Sequence, residues 1–116
     1  MAQIAKVEDL MSTALITVRE TDSVAAAEME MKLGSMRHVP IVDEKQNLIG
    51  ILSARDVLEA LARGKKRVRV GDYMTRQLVT VSPETPVHHA IDLLLENRFG
   101  SLPVVGSDGH LMGIVT

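Results

Sequence analysis

Short runs of β-branched and aliphatic residues alternate along this chain with amphipathic stretches and polar punctuation. Residues 15–18 (Leu-Ile-Thr-Val) and 78–81 (Leu-Val-Thr-Val) are too short for helices and rich in β-branched side chains, so they read as strands. Thr21, Asp22 and Ser23 follow the first run, and Ser82, Pro83 and Glu84 the second; these supply the capping oxygens and first-turn acids that start a helix. Val24, Ala27 and Met31 then share one helical face, as do Val87, Ala90, Ile91 and Leu94, and Gly34 and Gly100 fall where those helices should end. Residues 38–42 and 101–105 are apolar runs containing a proline, 43–47 and 106–110 are polar turns, and 48–52 and 111–115 are apolar again. That order predicts two strand hairpins. A further helix is expected over residues 54–63, with Val57, Leu58 and Leu61 on one side.

The order of elements recurs because the sequence does. Asp72 lies 63 residues after Asp9, and at that offset residues 7–53 fall on residues 70–116 without a gap. Thirteen of those 47 positions are identical, among them Asp9/Asp72, Met11/Met74, Thr17/Thr80, Pro40/Pro103, Gly50/Gly113 and Ile51/Ile114. Most other pairs at strand positions exchange one apolar residue for another. The chain is an internal duplication. Each copy reads as a β-α-β-β-α unit: residues 1–63 form the first, 64–69 a basic linker, and 70–116 the second, whose final helix is missing. Three short strands with helices on one side leave an apolar face open to water. Two units packed sheet to sheet would bury it, giving an α/β (α+β) fold with pseudo-twofold symmetry.

Composition narrows the chemistry. With 46% hydrophobic and 24% charged residues, the chain has the balance of a soluble globular domain. Tyr73 and Phe99 are the only aromatic residues, so a ligand would be held by aliphatic walls and backbone groups. A net charge of −2 argues against a general nucleic-acid binder, although four basic residues cluster in the linker at Lys65, Lys66, Arg67 and Arg69. The absence of cysteine excludes disulfides, thiolate metal sites and thiol nucleophiles, and is compatible with a cytoplasmic location. No signal peptide and no membrane-spanning run stand out. His88 and His89 look like a metal pair, but adjacent helical positions point about 100° apart, and no metal site is expected. No catalytic triad, phosphate loop or paired carboxylates are visible, so catalysis is not expected.

The repeated signature resembles the CBS domain family. It consists of an Asp-x-Met start, a Thr-Val strand, a helix, a strand carrying Pro-(Ile/Val)-Val, and a closing Gly-Ile-(Leu/Val)-(Ser/Thr). The resemblance covers nearly the whole chain, and the first copy completes it as Gly50-Ile51-Leu52-Ser53-Ala54-Arg55-Asp56. Taken alone, Ser53 with Asp56 three residues on is a capping-box arrangement that any helix can use. The resemblance implies more: a regulatory module, not an enzyme, that binds ATP, ADP, AMP or an S-adenosylmethionine-like compound between the two copies. It also implies a homodimer that controls an attached or separate enzyme or transporter, with no obligatory cofactor.

Carried over by position, Asp56 would receive the ribose hydroxyls and Ser53 would meet phosphate, beside Ile51, Ala54 and Arg55 at a helix start whose free N–H groups suit an anion. Arg37 corresponds to a position that faces phosphate in similar proteins. Met74, Val79, Phe99 and Gly100 would form the adenine slot. A second, weaker cleft would draw on Met11, Ile16, Met36 and Thr116. The counterpart of Asp56 would fall three residues past Thr116, so either the chain is a fragment of a longer one or that cleft lacks a ribose-binding carboxylate. Two other readings stay open: a structural association domain with empty clefts, and an RNA- or DNA-binding module using the linker.

Overall fold

The computed structural model describes residues 5–64, 68–97 and 100–116. Its regular elements are the short helix α1 (Val7–Leu10), α2 (Val24–Gly34), β1 (His38–Val42), β2 (Leu48–Ser53), α3 (Ala54–Ala62), a single 3-10 turn at Val70–Asp72, α4 (Val87–Asn97), β3 (Leu102–Val105) and β4 (Leu111–Val115). The fold is mixed α+β. The chain divides into two compact units, one formed by Ile16–Leu78 and the other by the residues through Leu15 together with Val79–Thr116.

In the unit Ile16–Leu78, β1 and β2 pair antiparallel, with His38 opposite Ser53 and Pro40 opposite Ile51. Val24, Ala27 and Met31, the expected apolar face of α2, are buried against Val39, Ile41 and Leu52 of the hairpin and Val57 and Ala60 of α3. Val70 and Met74, which belong to the second sequence repeat, complete this core. The backbone ties them in: the Val70 N–H donates to the Asp22 carbonyl at 2.8 Å, Gly71 to Glu20 at 2.9 Å, and Thr75 and Ile51 exchange hydrogen bonds of 2.8 and 3.0 Å.

The other unit makes the reciprocal bonds. The Val7 N–H donates to Thr85 at 2.8 Å, Glu8 to Pro83 at 3.0 Å, and Ser12 and Ile114 exchange bonds of 2.9 and 3.0 Å. Val7 is buried there with Val81, Ala90, Leu102 and Val104. Each compact unit is thus closed by the opening segment of the other repeat, so the units in space do not share the boundaries of the repeats in sequence. One contact explains the repeated Met and Gly. A Cβ on Gly50 would lie 2.7 Å from Met74 Sδ, and one on Gly113 would lie 2.6 Å from Met11 Sδ, so only glycine lets the methionine cross the strand this closely.

Three expectations need correction. The strands expected at residues 15–18 and 78–81 shrink to single parallel bridges, Val18 with Ile41 and Val81 with Val104. Val18 donates to Pro40 and accepts from Val42, and Val81 does the same with Pro103 and Val105. The next ladder bond toward the N-terminus would need an N–H from Pro40 or Pro103, which proline lacks, so pairing ends there. Ser82, Pro83 and Glu84 do not open a helix. Ser82 forms a tight turn in which its N–H donates to Thr85 Oγ1 at 3.0 Å, and α4 starts after Pro86. The matching turn in the first repeat uses the Arg19 N–H and Asp22 Oδ2 at 2.8 Å, and there Ser23 does cap α2.

Leu58 and Ile91 are 68% and 48% exposed instead of buried. Each sits about 100° from the centre of its helix's apolar face, where Ala60 and Leu94 pack instead. As expected, α2 ends at Gly34, and the residue that follows it, Ser35, is left-handed (φ 54).

Candidate functional site

Around the start of α3, β2 delivers Ser53 directly into the helix. Ser53 Oγ accepts the Asp56 N–H at 3.1 Å, and Asp56 Oδ2 accepts the Ser53 N–H at 2.8 Å, a reciprocal capping box. Asp56 therefore spends one carboxylate oxygen on the cap. Its second oxygen has no partner among the described residues, and a carboxylate oxygen can accept from a diol. The expected row of free N–H donors is shorter than the sequence suggests. The Ala54 N–H donates to the Arg37 carbonyl at 2.8 Å and the Asp56 N–H is taken by Ser53, leaving only Arg55 of the first three without a partner among the described residues. The helix still presents its positive end to an anion, with one donor instead of three.

Arg37 lies next to this helix start, exposed, at the edge of a groove of about 360 Å³ lined also by Met31, Met36, Ala54, Val57 and Leu58. Ile51 is half-buried on β2 and hydrogen-bonded to Thr75, and Met74 is buried beside it over Gly50. Ser53, Ala54, Arg55, Asp56, Ile51, Arg37 and Met74 therefore all belong to the unit Ile16–Leu78. Of the residues assigned to the adenine slot, Val79 and the exposed Gly100 belong to the other unit, and Phe99 lies outside the described residues.

The second set divides similarly. Ile16 and Met36 converge on Gly34, within 3.1 Å of where its Cβ would stand. Met11 packs on Gly113 in the other unit, where Thr116 is exposed. Lys65, Lys66 and Arg67 lie outside the described residues. Among the described residues no three His, Asp or Glu side chains converge as a metal site, and no helix is long and apolar enough to cross a membrane.

One residue was missed. His38 opens β1 opposite Ser53 and feels both Arg37 and Asp56. Burial holds its imidazole below the ordinary histidine value and Arg37 adds to that, while the Asp56 carboxylate pulls the other way. The signal lay in the hairpin pairing: once residues 38–42 face 48–53, the first position of one strand meets the last of the other.

These features define a duplicated hairpin-and-helix domain with one intact capped-helix site. The CBS domain matches residues 7–63 and 70–116, and the chain belongs to the CBS domain family. It is similar to the CBS domain pair of protein MJ0100, solved in complex with 5′-methylthioadenosine and S-adenosyl-L-methionine, at a TM-score of 0.90 and 32% identity over 98% of this chain and 90% of that one. It is also similar to CBSX2 solved in complex with AMP, at a TM-score of 0.85 and 32% identity over 96% of this chain and 89% of that one. Among curated proteins, L-aspartate semialdehyde sulfurtransferase of Methanocaldococcus jannaschii is 33% identical over 113 residues, which are 97% of this chain and 22% of that protein.

Proposed function

We propose that this chain is a regulatory module, without catalysis of its own, that binds an adenine nucleotide or a related adenosyl compound and signals by a change in conformation or in dimer packing. The observation that carries the reading is the Asp56 carboxylate, held by its own helix cap through one oxygen and left with the other to accept from a ribose diol. The solved relatives support the ligand class, since one holds adenosyl compounds and another holds AMP. In this reading Ser53, Arg55 and Arg37 serve the 5′ substituent. Ile51 and Met74 serve the base.

Self-association belongs to the same proposal. Leu33 and Leu58 are 74% and 68% exposed in one unit and Leu95 is 72% exposed in the other, apolar helix positions that a second copy would cover. The regulated enzyme or transporter, and a cytoplasmic location, are proposed on the family resemblance alone.

Calorimetric titration with AMP, ATP, 5′-methylthioadenosine and S-adenosylmethionine tests the reading on wild type, Asp56→Ala and Asp56→Asn. Asparagine keeps an oxygen for the Ser53 N–H but loses the carboxylate, so Asp56→Asn separates ligand from cap. Binding in wild type with at least a ten-fold loss in both variants is expected, about the effect of 1.4 kcal/mol. No binding at millimolar concentration, or equal affinity in all three proteins, overturns it. An oligomer whose size and melting temperature ignore every nucleotide would favour the structural-association reading.

A further inference from the structure

The site as proposed leaves one ionisable side chain unused. His38 is half-buried, stands opposite the capping Ser53 in the β1–β2 register, and follows Arg37, whose carbonyl fixes the Ala54 N–H. The charged groups around it come from each neighbouring element. Asp56 lies on α3, where the exposed Arg55 precedes it, Arg37 leads into β1, and β2 carries no charge. Glu28 and Lys32 of α2 line the same groove as Arg37 but pair with each other at 3.8 Å.

We propose that His38 selects ligand charge at the Ser53–Asp56 site, so that a phosphate ester of adenosine binds better when the imidazole is protonated and adenosine itself binds equally well in either state. The proposal rests on the functional reading above. It follows from what the helix start lacks: with a single free N–H at Arg55 and only the exposed, solvated guanidiniums of Arg37 and Arg55, the site holds a phosphate weakly, and a half-buried cation next to Arg37 changes that balance. Imidazole is the side chain that can supply this cation reversibly near neutral pH. Burial keeps it neutral to below the ordinary histidine value, so the gain appears on the acid side. By linkage, the factor by which protonation tightens phosphate binding is the factor by which bound phosphate raises the proton affinity of His38.

The test is calorimetric titration of the full chain with AMP and with adenosine between pH 5.5 and 8, on wild type, His38→Gln and His38→Lys. The phosphate of free AMP also titrates near pH 6, but free AMP is common to every protein, so the ratio of wild-type to His38→Gln affinity removes that titration. That ratio should rise about five-fold or more for AMP as the pH falls, the lower end of usual coupling between sites. It should stay near one for adenosine. His38→Lys, with a fixed charge, should bind AMP more tightly than His38→Gln at every pH, with no further gain in acid.

NMR titration of the His38 ring supplies a readout that a purely structural role would not move: its midpoint should rise with AMP bound and not with adenosine. If both ligands bind in an Asp56-dependent way but the AMP ratio is flat, or the midpoint does not move, the inference about His38 is wrong and the site stands. If neither ligand binds, both fall.

Discussion

Gln46 and Gly109 occupy the same hairpin position in the two repeats, and both are left-handed, with φ of 69° and 87°. For glycine this conformation is free of strain, whereas a residue with a side chain is held there at about 1–2 kcal/mol. The first turn tolerates it because Asp43 organises the loop. Its Oδ1 accepts the Lys45 and Asn47 N–H groups at 2.8 and 3.0 Å, and these bonds, the Asn47 one foremost, hold the Asp43 carboxyl below the usual carboxylate range. Gln46→Gly should stabilise the protein by about 0.5–1 kcal/mol after the added freedom of the unfolded chain is deducted. Chemical denaturation checks this, through a higher midpoint with an unchanged slope; a midpoint that stays or falls would show that the Asp43 loop has already relieved the strain.

Among the elements, the two Met-over-Gly crossings are equivalent in sequence but not in tolerance. At Gly50 the nearest backbone atom to an added Cβ is the Thr75 oxygen at 3.0 Å, and the close contact is the flexible Met74 sulfur; at Gly113 the Ser12 oxygen stands at 2.9 Å and both Met11 Sδ and Cγ lie under 3.0 Å. Alanine at either position should destabilise by about 1–3 kcal/mol, the range for overpacking, with Gly113→Ala the more severe in thermal melts.

Such crossings also mark the limit of what could be read beforehand. The hairpins, the apolar face of α2 and the Ser53–Asp56 cap were legible, because each depends on spacing within a few residues. The third strands were not. Their pairing fails at the missing N–H of Pro40 and Pro103, and that matters only once the direction in which each proline nitrogen points is known. Leu58 and Ile91 were misplaced because an i, i+3, i+4 pattern gives the breadth of a helical stripe but not its centre. His38 escaped notice because its neighbours Ser53 and Asp56 are local in the sheet but not in the sequence. Self-similarity, finally, shows that two copies exist without saying which opening segment closes which core.

At the scale of the whole molecule, that exchange makes the sequence repeat the wrong place to cut. Residues 1–63 and 16–78 are fragments of equal length, yet only the second contains Val70, whose N–H donates to Asp22, together with Met74 and the Thr75 pair with Ile51. Two buried aliphatic side chains at about 1.5–3 kcal/mol each are decisive in a domain of about 60 residues. Fragment 16–78 should unfold cooperatively by circular dichroism while 1–63 should not; equal cooperativity would mean that the repeat folds without its exchanged segment. The same exchange imposes an order on synthesis. As the chain leaves the ribosome, Ile16–Leu78 can close as soon as Thr75 has emerged, because every group it needs has then been made. Val7 and Ser12 are synthesised before that unit, yet their partners Thr85 and Ile114 follow it. The segment that closes the second unit is therefore made before the first unit and finds its place only after it.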